Sequence, residues 1–244
     1  MSDWQLAADY QMLQADFGSL EKVFALQGER ITHDPISELI RVTRDGVNYY
    51  VKRYRNNGKG LRKYAAKPRI KSEWQNLKRF AKWGIPTAKV IAQGLERQAG
   101  AFVRGAMITR EIPNSRDLAD LADTGSPLLQ DRAWVQQISA QVAHATRVMH
   151  QHHFTHNDLK WRNLLVDDQA QVYLIDCPAG TFWWGPLLRY RMIKDLACLD
   201  KVGKYQLSNT QRLRFYLQYC QRTRLNAHDK KQIAKIVRFF EGRE

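Results

Sequence analysis

The segment from His156 to Asn163, with the sequence HNDLKWRN, constrains the fold more than any other part of the chain. Apolar residues at helical spacing precede it, and two short β-type runs joined by a polar turn follow it. The second run ends in a further acid, Asp176. The sequence therefore predicts a helix, a loop and a hairpin that bring one amide and two carboxylates together.

Phosphoryl transfer from ATP explains this grouping, because it needs a carboxylate beside the acceptor hydroxyl and oxygen ligands that hold Mg²⁺ on the phosphates. Asp158 is the predicted base that orients and deprotonates the hydroxyl, and Asn163 and Asp176 are the predicted Mg²⁺ ligands. A plain turn at Asn157-Asp158 and a strand-end cap at Asp176 are the structural alternatives. The conjunction of helix, residue spacing and hairpin favours the functional interpretation.

Three more residues around this loop carry predictions. Lys160 is predicted to reach the transferred phosphate and balance its charge, with a solvent-facing lysine as the alternative. His156 is expected to fix the loop backbone through hydrogen bonds rather than to catalyse. Asp195 is expected to brace the same backbone rather than to take part in the chemistry.

Composition limits the partners and the location. The 244 residues include 39 Lys and Arg against 24 Asp and Glu, a formal net charge of +15. This charge favours polyanions, namely nucleic acid, an anionic membrane face or a phosphorylated substrate. No apolar run approaches the roughly 20 residues that span a bilayer, and the N-terminus lacks a secretory signal pattern. Three cysteines without metal-ligand spacing suit a reducing compartment, so the predicted location is cytoplasmic, either free or peripheral on the inner face of a membrane.

The order of the elements predicts an α+β, bilobal protein-kinase-like fold, with a small antiparallel β lobe followed by a larger helical lobe. Residues 1–109 are the predicted β-rich lobe that binds the ATP phosphates, and residues 110–244 are the predicted catalytic and metal-binding lobe. The first lobe is expected to contain strands at 23–26, 38–42, 47–52, 89–93 and 101–109 and a helix at 71–83. The second is expected to contain a helix capped by Asp131, a hairpin of 164–166 with 172–175, and helices at 193–199, 211–219 and 227–240.

Lys52 ends the third predicted strand, where a kinase needs a cation on the α- and β-phosphates of ATP. Glu73 is the only acid between Asp45 and Glu96, so it is the predicted ion-pair partner of that lysine. A solvated edge-strand lysine and a helix-surface glutamate are the alternatives.

A basic segment, residues 53–71, contains eight Lys or Arg and no acid. Aromatic and aliphatic residues alternate with these charges. The segment is either a solvated loop or a docking patch for an anionic lipid or nucleic-acid surface.

The motif from His156 to Val166, followed by Tyr173 to Pro178, resembles the lipopolysaccharide core kinase family, the Kdo and heptose kinases of Gram-negative bacteria. That family is related to protein kinases and aminoglycoside phosphotransferases. The likeness runs from about Val23 to Leu199. It implies that the protein uses ATP and Mg²⁺ to phosphorylate an inner-core sugar at the cytoplasmic membrane surface.

The same resemblance implies a nucleotide site. Thr109, Glu111 and Ile112 lie in the connector between the lobes and would bind adenine through backbone groups. No Gly-x-Gly-x-x-Gly motif precedes Lys52. We therefore hypothesise that the turn from Thr32 to Ser37 covers the phosphates instead.

Two departures from protein kinases leave the ligating oxygens in place: Asn157 replaces Arg in His-Arg-Asp, and Cys177-Pro178 replaces Phe-Gly. Only eighteen residues separate Asp176 from Asp195, too few for the activation segment and peptide platform of a protein kinase. A protein acceptor is therefore not expected. The resemblance implies lipopolysaccharide core or another anionic glycolipid as the acceptor, which suits the net charge of +15, and no nucleic-acid partner is expected. The alternatives are another small-molecule phosphotransferase, or a catalytically weak pseudokinase that binds an anionic membrane surface.

Overall fold

The computed structural model describes residues 3–55 and 67–242. The chain forms two compact units, one of Met1–Arg79 with Ala88–Ile112 and one of Phe80–Thr87 with Pro113–Glu244. The main sheet belongs to the first unit and most helices belong to the second, in line with an α+β chain. The functional division expected between residues 109 and 110 stays a prediction.

Antiparallel strands form the sheet of the first unit. Over the described residues the sheet has six strands in the order β1-β5-β6-β4-β3-β2. These strands are β1 (Gln5–Leu6), β2 (Glu29–Asp34), β3 (Ser37–Arg44), β4 (Val47–Arg55), β5 (Val90–Gln98) and β6 (Ala101–Arg110). Asp45 and Gly46 join β3 to β4 with positive φ, the backbone that a tight two-residue hairpin needs. Lys52 lies inside the sheet, opposite Leu39 and Met107.

Helices cover this sheet, and one of them corrects an expectation. They are α1 (Gln14–Phe17), α2 (Leu20–Ala25) and α3 (Arg69–Lys82), preceded by a 3-10 helix at Ala8–Leu13. Residues 23–26, expected as a strand, lie mostly in α2, so that expectation is wrong. Ser19 caps α2 by accepting a hydrogen bond from the Lys22 N–H. Leu20 and Val23 are fully buried three residues apart, which is helical rather than strand spacing.

The predicted turn from Thr32 to Ser37 is also shorter than expected. Thr32, His33 and Asp34 lie in β2, paired with β3. Only Pro35 and Ile36 remain as the turn, because Ser37 already begins β3. The other strands expected in this unit, and its helix near 71–83, are confirmed to within a few residues, although β5 extends to Gln98.

The second unit consists mainly of helices with two small ribbons. The helices are α4 (Leu118–Asp123), α5 (Arg132–Gln151), α6 (Gly185–Gln206), α7 (Asn209–Cys220) and α8 (Ala227–Val237). The ribbons are β7 (Arg116–Asp117) with β9 (Leu164–Val166) and β10 (Val172–Leu174), and β8 (Phe154–Thr155) with β11 (Thr181–Phe182). Short 3-10 helices lie at Pro127–Gln130 and Trp161–Asn163. Asp131 caps α5 as predicted, by accepting hydrogen bonds from the Ala133 and Trp134 N–H groups.

Three other features bear on the predictions. Among the described residues, no helix combines the length and the apolar character needed to cross a bilayer. The cysteines are free thiols, and burial raises the pKa of Cys198 to about 11. Of the basic segment, residues 56–66 lie outside the described residues, so its role as a docking patch stays a prediction.

Candidate active site

One buried carboxylate holds the loop that carries the motif. Asp195, on α6, is fully buried. Its Oδ2 accepts the His156 N–H at 2.7 Å, and its Oδ1 accepts the Asn157 N–H at 2.8 Å. Hydrogen bonds to a charged acceptor are about twice as strong as neutral ones. The predicted brace is confirmed.

A second layer, which the sequence analysis missed, supports this brace. The His150 ring lies with Nε2 at 3.4 Å from Asp195 Oδ2, and its Nδ1 is 2.8 Å from the Tyr219 hydroxyl. Burial raises the pKa of Tyr219, so this hydroxyl keeps its proton. No sequence signal reveals the contact, because His150 and Tyr219 lie on different helices, far apart in the chain.

Asn157 turns the chain between His156, which is bound to Asp195, and the predicted base Asp158. Its φ is 64°, in the left-handed region that Asn tolerates better than most residues. The Thr155 hydroxyl donates to its Oδ1 at 3.1 Å, and its Nδ2 donates to the Ala179 carbonyl at 2.8 Å. Asn in place of Arg therefore ties the loop to the segment that follows Asp176.

Short links join the three residues predicted for phosphoryl transfer. Asn163 Nδ2 donates to the Asp158 carbonyl at 2.8 Å, and the Ile175 N–H donates to the Asn163 carbonyl at 3.0 Å. Asp176 follows directly, with a φ of 54°. Because the Asn163 NH₂ group is used in the loop, its Oδ1 is the atom left to ligate a cation. The structure brings the three residues together, and their catalytic roles stay predictions.

Lys160 pairs with the predicted base. Its Nζ lies 2.7 Å from Asp158 Oδ1, and both side chains are nearly half exposed. The pair leaves the second carboxylate oxygen to accept a hydrogen bond from a substrate hydroxyl. It also keeps a cation beside the place where an acceptor would lose its proton.

His156 lies at the centre of the acidic residues. Its ring stacks on Phe80, with centroids 6.1 Å apart and planes 18° apart. Burial lowers the pKa of His156, while Asp195, Asp158 and Asp176 oppose that shift. The ring is therefore neutral near pH 7. The Ile175 backbone acts on the ring as a hydrogen-bond partner, although neither ring nitrogen has a partner at regular hydrogen-bond geometry among the described residues. The stronger hold on the loop is the His156 N–H, which donates to Asp195.

Close packing fixes the segment after Asp176. A Cβ added to Gly180 would overlap Cys177 Sγ and Phe154 Cζ. Cys177 Sγ in turn lies 4.0 Å from the His156 carbonyl oxygen. Only glycine fits this position without displacing its neighbours.

In the first unit, Lys52 and Glu73 form the predicted ion pair. Their Nζ and Oε1 atoms are 2.8 Å apart, and the Glu73 side chain is almost fully buried. Both alternatives, a solvated lysine and a surface glutamate, are thereby excluded. The role of Lys52 toward ATP stays a prediction.

The turn at Ser37 borders a small polar cavity. Ser37 Oγ lies 3.5 Å from Asp34 Oδ2. The cavity, about 100 Å³ in volume, is walled by this turn and by Arg53 and Arg55. Asp34 and Glu38 line the same cavity, and the Arg53 guanidinium donates to Glu38 and to the Leu26 carbonyl. The cavity therefore adds no support for phosphate binding, and the assignment of Ser37 stays a prediction.

The connector residues lie at the end of β6. Thr109 pairs with Tyr50. The Glu111 N–H donates to the Asn48 carbonyl at 3.0 Å, and its carboxylate accepts hydrogen bonds from Asn48 and Tyr50. Adenine would therefore use other backbone groups of the connector than the Glu111 N–H. The assignment of Thr109, Glu111 and Ile112 stays a prediction.

Comparison with known proteins decides the family. Residues 20–219 match the model of the Lipopolysaccharide kinase (Kdo/WaaP) family. The chain belongs to this family.

The curated proteins similar to this chain include two named 3-deoxy-D-manno-octulosonic acid kinases. That of Vibrio cholerae is 26% identical over 110 residues, covering 45% of this chain and 43% of the relative. That of Actinobacillus succinogenes is 29% identical over 120 residues, covering 46% of this chain and 47% of the relative. The chain thus spans less than half the length of the curated relatives it matches.

A solved structure of WaaP in complex with acyl carrier protein is similar throughout. Its TM-score is 0.76 at 21% identity, covering 98% of this chain and 97% of that chain. The likeness confirms the expected kinase-like α+β fold.

The residues fit the magnesium ion that a kinase of this family implies. Among the described residues no group of three or more His, Cys, Asp or Glu side chains could hold a metal. Mg²⁺ does not need one, because it commonly binds one or two carboxylates together with substrate phosphates and water. Asp176 and the Oδ1 of Asn163 would supply such an incomplete set, and their role as ligands stays a prediction.

Proposed function

We propose that the protein is an ATP-dependent kinase that phosphorylates a sugar hydroxyl, on Kdo or heptose, in the inner core of lipopolysaccharide. The observation that carries the proposal is the grouping of Asp158 and Asn163 on the braced loop, with Asp176 linked to that loop through the Ile175 N–H, in a chain of the Kdo/WaaP family. An acceptor that bears phosphates and carboxylates also suits the net charge of +15.

In this mechanism Asp158 accepts a hydrogen bond from the acceptor hydroxyl and takes its proton. The hydroxyl oxygen attacks the γ-phosphorus of ATP, the bond from that phosphorus to the β-phosphate oxygen breaks, and ADP leaves. Lys160, held beside the base, balances the negative charge on the phosphoryl group during transfer.

Two further groups hold the nucleotide. Asp176 and Asn163 would hold Mg²⁺, which neutralises charge on the phosphates when bound. Lys52, fixed by Glu73, would hold the α- and β-phosphates. A protein with these functions acts on the cytoplasmic face of the inner membrane, where we place it.

The test uses the purified full chain with ATP, Mg²⁺ and two acceptors, Kdo-bearing lipid A and the same lipid extended by heptose. Mass spectrometry should show one added phosphoryl group on one of them. Asp158→Asn should lower the rate by about 10²–10⁴-fold. Asp168→Asn, a matched change at an exposed acid in the β9–β10 turn, should leave it within twofold.

Two results would overturn the proposal. Equal rates for Asp158→Asn and the parent would remove the base. A folded parent protein that binds ATP yet phosphorylates neither acceptor would favour the pseudokinase alternative or another acceptor hydroxyl.

A second candidate function concerns an acyl chain. The WaaP neighbour was solved in complex with acyl carrier protein. In this chain, an apolar cavity of about 440 Å³ lies among α5, α6, α7 and α8, within the range of ligand pockets of about 300–1,000 Å³. Ile138, Val142 and Leu199 line it, and the ion pair of Arg212 with Asp200 supplies polar groups at its wall. We propose that this cavity takes the chain of an acylated partner.

Calorimetry with acyl carrier protein tests this second candidate. The carrier loaded with a long acyl chain should bind at least about tenfold more tightly than the unloaded carrier, because only the loaded form has an acyl chain to bury in the cavity. Val142→Trp should remove that difference by filling the cavity. Equal affinities for the loaded and unloaded carrier would contradict the candidate whatever the variant does.

A further inference from the structure

Three large apolar side chains are exposed at the start of α6. Trp184, Leu187 and Tyr190 are 68%, 58% and 44% exposed. They are spaced three residues apart, so on a helix they follow one side. Arg189 is exposed next to them, and Arg191 lies with its guanidinium 4.8 Å from the Trp183 ring. We call Trp184, Leu187, Tyr190, Arg189 and Arg191 the Trp184 surface.

The start of α6 lacks the local features that stabilise a helix end. The first turn has no acid, and Trp184 at the N-cap position makes no capping hydrogen bond, although Ser, Thr, Asp or Asn is preferred there. Arg189, Arg191 and Lys194 follow in the next two turns without an acid among them, so this part of the helix is basic. A segment that breaks local rules of this kind is expected to serve a purpose other than folding.

The composition of the surface points to one class of partner. Trp and Tyr concentrate at membrane–water interfaces, Leu enters the acyl boundary, and Arg binds anionic headgroups. Each cation near an anionic leaflet contributes to attraction, and the whole chain adds a net charge of +15. We propose that the Trp184 surface docks on an anionic lipid bilayer, with Trp184 and Leu187 inserted and the arginines at the headgroups.

The surface is tied directly to the catalytic loop. β11, which ends two residues before Trp184, pairs with β8, which ends just before His156. The Trp183 N–H also donates to the His153 carbonyl at 2.9 Å. Docking would therefore hold the loop next to the headgroups of a glycolipid. This consequence rests on the proposed kinase function, whereas the binding to lipid does not.

Vesicle co-sedimentation tests the lipid contact. The full chain is mixed with vesicles of phosphatidylcholine alone, or of phosphatidylcholine and phosphatidylglycerol in equal parts. The parent should bind the anionic vesicles, and Trp184→Ser/Leu187→Ser should bind them at least about tenfold more weakly. Arg189→Glu should weaken binding mainly at low salt. Tyr205→Ser, a matched change at a side chain 75% exposed near the other end of α6, should change it less than twofold.

Two outcomes would overturn the proposal. It is wrong if Trp184→Ser/Leu187→Ser binds anionic vesicles as the parent does, with circular dichroism showing both folded. It is also wrong if the double change leaves vesicle binding intact but abolishes binding to an acidic protein partner such as acyl carrier protein, because the surface would then be a protein interface.

An activity measurement separates this proposal from the kinase proposal. Trp184→Ser/Leu187→Ser should phosphorylate a detergent-dispersed acceptor at the rate of the parent. On an acceptor embedded in vesicles its rate should be at least about tenfold lower. Absence of activity in the parent itself would contradict the proposed function and leave the vesicle result to decide the lipid contact.

Discussion

Replacing Asp195 by Asn removes the charge that two loop amides share. The His156 and Asn157 N–H groups donate to its two oxygens at 2.7 and 2.8 Å. In Asn one of these oxygens becomes an NH₂ group, which faces a donor and cannot accept. One buried N–H then loses its partner, at about 1–3 kcal/mol, and the other keeps a neutral rather than a charged acceptor. We expect a loss of about 2–4 kcal/mol in the free energy of unfolding.

Urea denaturation followed by Trp fluorescence measures this loss. Asp168→Asn is the matched control, since it is the same change at an exposed acid in the β9–β10 turn, and surface substitutions usually change the free energy of unfolding by no more than about 0.5 kcal/mol. Because the loop also positions Asp158, Asp195→Asn should lower kcat about a hundredfold, the effect of a displacement of about 1 Å in a catalytic group. The idea that Asp195 holds the loop would be refuted if two results came together. The free energy of unfolding of Asp195→Asn would lie within 1 kcal/mol of that of the control, which is about the uncertainty of the comparison, and its kcat would equal that of the parent.

Other changes give simpler outcomes. Lys52→Met should lower the free energy of unfolding, measured by urea denaturation, by about 3–5 kcal/mol, because it leaves the buried Glu73 without its ion partner. The double variant Lys52→Met/Glu73→Leu should regain most of that stability. A double variant that loses the sum of the two single losses would contradict this prediction. Gly180→Ala should cost about 1–3 kcal/mol through overpacking, while Gly203→Ala, whose new Cβ has room, should cost less than 1 kcal/mol in the same assay. Burial keeps the pKa of His156 below 6.5, so the unfolded chain binds a proton that the folded chain excludes. Stability is then fully present above pH 6.5 and falls as the pH drops below it, by at most about 1.4 kcal/mol per pH unit; His156→Phe should flatten that fall, and an unchanged slope would count against the buried neutral ring.

Much of the catalytic loop could be predicted because its signals are local. Residue types at fixed offsets placed Asp158, Asn163 and Asp176, and the hairpin between the last two follows from strand alternation and a polar turn. Asp131 was found as an N-cap for the same reason, since a cap and its helix are neighbours in sequence. Lys52 and Glu73 could be paired only because no other acid lies nearby in the chain.

What the sequence missed depends on tertiary contacts. His150 and Tyr219 meet behind Asp195 although nothing in their spacing links them. The run at 23–26 has β-type residues, yet burial of Leu20 and Val23 on one side together with the Ser19 cap selects a helix. Tertiary packing commonly overrides propensity in such short segments. The strand β2 was not predicted, and it forms by pairing with β3, which sequence alone does not specify.

The helix α6 carries both the Trp184 surface at its start and Asp195 in its interior. At a rise of about 1.5 Å per residue, Leu187 and Asp195 are separated by about 12 Å along the helix axis. If Leu187 is immersed in lipid, the position of Asp195 limits the distance between the catalytic loop and the bilayer. That distance would select acceptor hydroxyls by their height above the membrane. Lengthening the helix by one turn between Leu187 and Asp195 should therefore change which sugar is phosphorylated.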